Sequence, residues 1–286
     1  MKHFLISVTI LCLLLPLHTH GQAYKGFDFF FNGGMYKGHS DQATYYNGGN
    51  KDIRIGRVLE NRILKEQIDR LVSEQSGVIL DSKGVHLEEI PARMHYDWSF
   101  CFGVGFGYRI TPALSLTGTV GQVKLRTQGT AVFGYNKGVI GNQTADYLNY
   151  PLVGKEKRNF LEVGVRYMEA SDSKYKWFAE CALQLNSVKV ESADLVVEGE
   201  YFTMIDYYGG ADYDPTITQT LIDPMLGGVG YGITACGGLH MTINSWAALE
   251  PFLQLQYSRF KLGDHNRFRP NGFIGIRILV RDYLFA

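Results

Sequence analysis

Residues 96–110 read YDWSFCFGVGFGYRI, in which Trp98, Phe100, Phe102, Val104, Phe106 and Tyr108 take every second position. Asp97, Ser99, Cys101, Gly103, Gly105, Gly107 and Arg109 fill the places between them. A period of two belongs to a strand, because successive side chains along a strand point to opposite faces. This strand has one apolar face ending in aromatics and one face of small or polar groups. It reads as a wall segment of a closed antiparallel barrel.

Seven other segments show the same habit, which gives eight candidate strands at 24–36, 96–110, 114–125, 158–170, 177–190, 228–242, 246–260 and 272–281. In the fourth, Leu161, Val163, Val165 and Tyr167 alternate with Glu162, Gly164 and Arg166; in the last, Ile274, Ile276, Ile278 and Val280 alternate with Gly275 and Arg277. Pro251 interrupts the seventh, and since proline cannot donate to an interior ladder, a bulge is expected there. The connections alternate without exception. Short turns at 111–113, 171–176 and 243–245 face long connections at about 37–95, 126–157, 191–227 and 261–269. Tight turns on one side and long loops on the other are the habit of outer-membrane barrels. The strands bordering 126–157 and 191–227 have an alternative, which is to continue upward as tall hairpins.

Composition supports an all-β chain, with 33 glycines and 13% aromatics among 286 residues. Lys+Arg and Asp+Glu balance at 28 each, which excludes a charge-driven nucleic-acid binder. Near-neutral hydropathy is compatible with a membrane barrel, where only alternate strand residues meet lipid. Residues 1–21 have the basic, apolar, small-residue layout of a secretory signal peptide, with Thr19 and Gly21 at the cleavage positions. The mature chain is then 22–286, a single barrel with a large insertion at 37–95. Export leaves Cys101, Cys181 and Cys236, whose spacing matches neither a disulfide scaffold nor a zinc site. Parity turns Cys101 and Cys236 inward and Cys181 outward.

An inward apolar face would make a soluble ligand-binding barrel, and an outward one a membrane barrel. Three features favour the membrane. Aromatics gather at strand ends, with Phe27, Tyr108, Tyr167, Trp177 and Trp246 at the turn side and Tyr36, Trp98, Tyr231 and Tyr257 at the loop side, as headgroup belts require. The polar face mixes glycine with opposite charges, and Glu162, Arg166, Glu180, Glu250 and Arg277 are expected to form a paired network filling a narrow lumen. The last strand ends near Tyr283 and Phe285.

With Thr19-His20-Gly21-Gln22, eight strands, the stretch Tyr147-Leu148-Asn149-Tyr150-Pro151-Leu152 and that terminal strand, the chain resembles the OmpA/OmpX-like eight-stranded outer-membrane barrels. Within them it is most similar to the Bacteroidota branch that includes PorT-like proteins. It departs from that pattern in having Phe273 before the strand glycine and Ala286 at its end. The resemblance implies an outer-membrane location in a Gram-negative bacterium and handling by the barrel-assembly machinery.

In the first long connection, residues 52–75 place Ile55, Leu59, Ile63, Leu64, Ile68, Leu71 and Val72 at near-helical spacing, with Gly77 as the stop. A helix there serves either as a partner-binding or lid helix, through Ile55, Leu59, Ile63, Ile68 and Leu71, or as one that packs on its own loop or caps the barrel mouth. Tyr201, Tyr207 and Tyr208 lie in a tyrosine- and glycine-rich stretch of the kind recognition loops use. Asp206, Asp212 and Asp214 do not match the twelve-residue calcium loop. Among the histidines, His240 faces inward at the turn end, and His265 follows Asp264 without an obvious nucleophile, Ser258 lying several residues down the barrel. The expectation is a non-enzymatic membrane barrel without cofactor or metal. It would anchor or assist an envelope assembly, or bind a partner through its external loops. A narrow solute channel and a lipid A-modifying enzyme are the alternatives.

Overall fold

The computed structural model describes residues 26–136, 145–171, 173–208, 224 and 226–281. The signal-like segment, Asp212, Asp214, Tyr283 and Phe285 lie outside the described residues. Eight strands form the ring: β1 Gly26–Lys37, β2 Ser99–Arg109, β3 Leu114–Asn136, β4 Ala145–Met168, β5 Tyr175–Val197, β6 Gly227–Thr242, β7 Ala247–Arg259 and β8 Arg269–Arg281. Each pairs antiparallel with its sequence neighbours, and β8 closes on β1 from Asp28↔Arg281 to Lys37↔Gly272. The result is an up-and-down barrel without a free seam.

The apolar rows face outward. Phe27, Phe29 and Phe31 on β1, Phe100, Phe102 and Phe106 on β2, and Ile274, Ile276 and Ile278 on β8 are each about half exposed. Cys101 and Cys236 are buried and Cys181 is exposed, as parity requires. Most of the predicted aromatic belt is present. Phe27 stacks near Tyr108 at 5.1 Å and Tyr167 near Trp177 at 5.2 Å on the turn side. On the loop side Tyr231 and Tyr257 share a third ring, Phe268, at 5.5 and 5.4 Å. Tyr36 is a correction. As an even-numbered residue of β1 it points inward and is fully buried.

Pro251 also departs from expectation. The β7–β6 register is the same on both sides of it, with Leu249↔Met241 followed by Phe252↔Gly238, so two rungs are skipped without a bulge. The bulge lies instead on β5, where Lys155↔Ser192 is followed by Glu156↔Val190 and Glu191 is the extra residue. One extra residue exchanges the two faces of a strand. Below it the inward residues of β5 are Phe178, Glu180, Ala182 and Gln184; above it they are Ala193, Leu195 and Val197.

The strands β3, β4 and β5 run 23, 24 and 23 residues, whereas β1 and β2 have 12 and 11. The segment 126–157 is therefore mostly a tall hairpin rather than a loop, and Tyr150 and Leu152 of the Leu148–Leu152 stretch are core residues of its inner face. Short strands extend this wall on both sides, His86–Glu89 and His95–Tyr96 against β3 and Glu200–Thr203 against β5. The first connection, residues 38–98, folds onto the wall's inner face through α1 Ser40–Ala43, α2 Ile55–Glu60 and α3 Arg62–Ser76. The predicted helix is broken at Asn61, whose backbone is extended (φ −73°, ψ 115°) and whose side-chain oxygen accepts from Leu64 N at 3.0 Å. That bond caps α3, and Gly77 ends it in the left-handed region as expected.

The seam between β1 and β8 depends on glycine at Gly34. A Cβ there would lie 2.2 Å from the Ile274 carbonyl oxygen and 2.4 Å from Gly275 Cα, both backbone atoms that cannot yield. Gly34→Val is expected to destabilise the protein by about 1–3 kcal/mol through overpacking, read as a lower urea midpoint by tryptophan fluorescence. Gly272→Ala, where a Cβ meets nothing within 4 Å, should leave that midpoint unchanged.

Candidate functional site

Three layers succeed one another from the turn side to the loop side. In the barrel, Arg166 and Glu180 are neighbours across β4 and β5, and Glu250 and Arg277 are neighbours across β7 and β8. Their hydrogen bonds cross the lumen, and one longer ion pair joins neighbours. Arg166 donates to Glu250, and Arg277 donates to Glu180 at 3.0 Å, with Arg277 also 3.7 Å from Glu250. His240 Nδ1 lies 2.6 Å from Glu250, Thr117 Oγ1 donates to Glu180 at 3.0 Å, and Arg277 Nε donates to Asn32 at 3.0 Å. The guanidinium groups also lie over aromatic rings, Arg166 on Phe178 at 4.2 Å and Arg277 on Phe30 at 4.3 Å. Buried charges are tolerated when they are paired and hydrogen-bonded in this way.

The predicted network is therefore assembled from four of its five members. Glu162 stands apart, because amides rather than cations meet it: Gln184 and Gln254 each donate at 2.9 Å. The void beside Glu162, bounded by Phe160 and Phe273, is about 10 Å³, roughly the room for one water. Toward the turn side the lumen widens to a cavity of about 160 Å³ lined by Arg109, Arg166, Lys176 and His240.

The second layer is the mouth, organised by Arg158, the first residue of the expected fourth strand, and Glu156, which was expected in the connection before it. Arg158 is fully buried and donates to Glu156 at 2.5 Å, to Gln42 of α1 at 3.1 Å, to Tyr96 at 3.0 Å and to Tyr36 of β1 at 3.4 Å. Its guanidinium carbon lies 4.0 Å from the Phe260 ring centre. Tyr46 donates to the second Glu156 oxygen at 2.6 Å. Burial, followed by the charge of Glu156, pushes the Tyr46 hydroxyl well above its ordinary pKa, so it keeps its proton for that bond. One cation thus ties the first connection to both sides of the ring. The signal for it was parity: residue 158 already belongs to the inward series 160, 162, 164 and 166, and residue 156 joins that series once β4 is known to run on.

Above the pair, the apolar residues of the first connection are spent on an internal core. Ile55 and Ile68 are fully buried, and Leu59, Leu64 and Leu71 pack against the core from partly exposed positions. Ile63 is also half-buried. The helices form the mouth cap. Outside them lies the third layer, a cleft of about 650 Å³ between α2–α3 and residues 200–208. Arg57 and Asp206 form an ion pair within its lining, and Arg54 and Glu60 a second at 2.9 Å. Of the predicted tyrosines, Tyr201 and Tyr208 line this cleft, and Tyr207 packs on the core.

Among the described residues no group of three or more His, Cys, Asp or Glu side chains converges on a point. The His265 ring packs edge-on against Tyr45 at 6.0 Å, and Ser258 is buried and accepts from Asn271 at 3.3 Å.

No protein-family model and no curated protein matches the chain. Solved structures with a similar outline include Neisserial surface protein A (12% identity, TM-score 0.42, covering 91% of this chain and 99% of that one). OprG of Pseudomonas aeruginosa has 10% identity and TM-score 0.36, covering 91% and 99%. Ail of Yersinia pestis has 8% identity and TM-score 0.35, covering 90% and 99%. All three are eight-stranded outer-membrane barrels.

Arg158→Met strands the Glu156 carboxylate in the core and should cost about 3–5 kcal/mol. Urea unfolding would show the loss directly, and trypsin would cut the 38–98 connection faster than in the native protein. Arg158→Met combined with Glu156→Leu removes both charges and should recover most of that stability.

Proposed function

We propose that this protein is an outer-membrane β-barrel with a closed lumen, working without catalysis through the face that carries its long loops. The observation that carries this reading is the outward apolar row on every barrel strand, bounded by exposed aromatics. Trp98 and Tyr108 are ten residues apart on or beside β2, about 33 Å along a strand and about 25 Å in height at the usual barrel tilt, the thickness of the apolar band of such barrels. An exposed apolar surface encircling a whole domain has no stable place in water. Lipid is its natural solvent, and a closed ring meets the demand that every strand backbone group be satisfied there.

The loop side supports the second half of the reading. The crossing ion pairs and the void beside Glu162 leave little room for solute flow, and the capped mouth stands over them. What remains accessible is the external surface, above all the cleft between α2–α3 and Tyr201–Tyr208, whose volume falls in the range of ligand sites. Anchoring or assisting an envelope assembly, or holding a partner at that cleft, is the role such a shape supports. Membership of the Bacteroidota PorT-like branch and delivery by the barrel-assembly machinery belong to the same proposal.

The mature protein is expected to remain with detergent or liposomes on flotation and to migrate differently on a denaturing gel before and after boiling. In planar bilayers it should give no stable conductance steps. Recovery in the aqueous phase without detergent would overturn the membrane assignment. Steps altered by Arg166→Ala or Arg277→Ala would replace the closed barrel with a channel.

A further inference from the structure

At the loop-side edge of the apolar band the outward face of β3, β4 and β5 becomes cationic. Val120, Leu161 and Leu185 are paired across these strands and belong to the band, Leu185 being the partner of the belt residue Tyr231. Two residues higher the row is Gln122, Asn159 and Ser187, in which Gln122 donates to Asn159 at 3.0 Å and Asn159 donates to Ser187 at 3.3 Å. Two residues higher again it is Lys124, Lys157 and Lys189, each directly opposite the next. Arg126 opposite Lys155 continues the pattern one row further up.

Like charges directly opposite one another in a sheet repel, so this arrangement is unfavourable for the isolated protein. Few acids offset it. Glu191 and Asp194 share the outward face of β5, and Asp194 lies near enough to Lys155 to feel its charge. Asp97 is engaged by Gln128 at 2.8 Å. Among the described residues, none of the five cations has a carboxylate within ion-pairing distance. Beside Lys157 and Lys189 the surface opens into a cleft of about 370 Å³, lined also by Glu191, Tyr207 and Pro224.

The lysine row lies four residues beyond Val120, Leu161 and Leu185, about 13 Å along the strand and about 10 Å in height at barrel tilt, at the loop end of β2 where Cys101 pairs with Val123. That is headgroup depth for a bilayer whose apolar core ends at the aromatic belt, and lysine stems can lie along the apolar wall while their ammonium groups reach the polar layer. We propose that this patch binds the phosphate groups of anionic lipids in the leaflet on the loop side. Such phosphates supply the counter-charge that the sheet lacks. They would fix both the depth of the barrel and its rotation about the membrane normal, since the patch occupies three of eight strands. This inference rests on the membrane reading above.

The test uses the mature protein folded in dodecyl maltoside, titrated with phosphatidic acid or phosphatidylcholine of equal chain length and followed by native mass spectrometry. Phosphatidic acid should be retained at least about tenfold more tightly, in line with the known worth of single lysines at anionic surfaces. The triple variant Lys124→Gln, Lys157→Gln, Lys189→Gln should lose that preference, whereas the triple Lys→Arg variant should keep it. Equal retention of the two lipids by native protein, or an unchanged preference in the glutamine variant, overturns the proposal while leaving a detergent-bound, heat-modifiable barrel intact. Displacement of the lipid by equimolar inorganic phosphate also overturns it, in favour of a free-anion site. A protein that takes up no detergent fails both readings together.

Discussion

Closure of the eight-stranded ring is the constraint from which the other features follow. With β8 paired to β1 along its length, the ring itself has no free strand edge to template another chain. Each residue then has only two destinations, the lumen or the outside. A ring this small has an interior that side chains themselves must fill. The inward series therefore has to be self-sufficient in volume and in charge, and the outward series has to match whatever surrounds the barrel.

The interior meets that demand in two different ways. Between the turns and the aromatic belt it is polar, and the Arg166–Glu250 and Arg277–Glu180 pairs reach across the lumen to brace opposite walls. Beyond Arg158 it is apolar, because β3, β4 and β5 outgrow their neighbours and need a covering layer. The helices of the 38–98 connection provide it, giving a helix-on-sheet core above a barrel. The bulge at Glu191 lies at the junction and exchanges the faces of β5 where the filling changes from charged to aliphatic. Arg158 holds the two regimes together by bonding to groups from each.

The strand period made the lower barrel legible. Phe100, Phe102 and Val104 against Cys101 and Gly103 sufficed to orient β2, and the same parity placed Cys181 outside and His240 inside. Parity was lost where the chain was taken to leave the sheet. Glu156 and the residues before it had no face while 126–157 was read as a loop, so the pair that seals the mouth was overlooked. Tyr36 was drawn into the belt by its chemistry although its numbering placed it inside. Glu162 was grouped with the cations by its charge, but the third dimension brings amides to it. The amphipathic pattern of 52–75 correctly announced helix, yet amphipathicity is equally a mark of internal packing. Only the height of the β3–β5 wall reveals that its apolar face has somewhere to go.

The inequality of the strands has one more consequence. From Val120 at the top of the band, β3 continues sixteen residues to Asn136, on the order of 50 Å of strand, while β1 and β2 end near the mouth. In the proposed membrane setting the protein would therefore stand above the bilayer as a one-sided screen rather than a chimney. Anything drifting along that membrane surface would meet either its sheltered side, where the helices are, or its bare back. Two molecules lying side by side would accordingly present different profiles to each other, depending on which way each had turned.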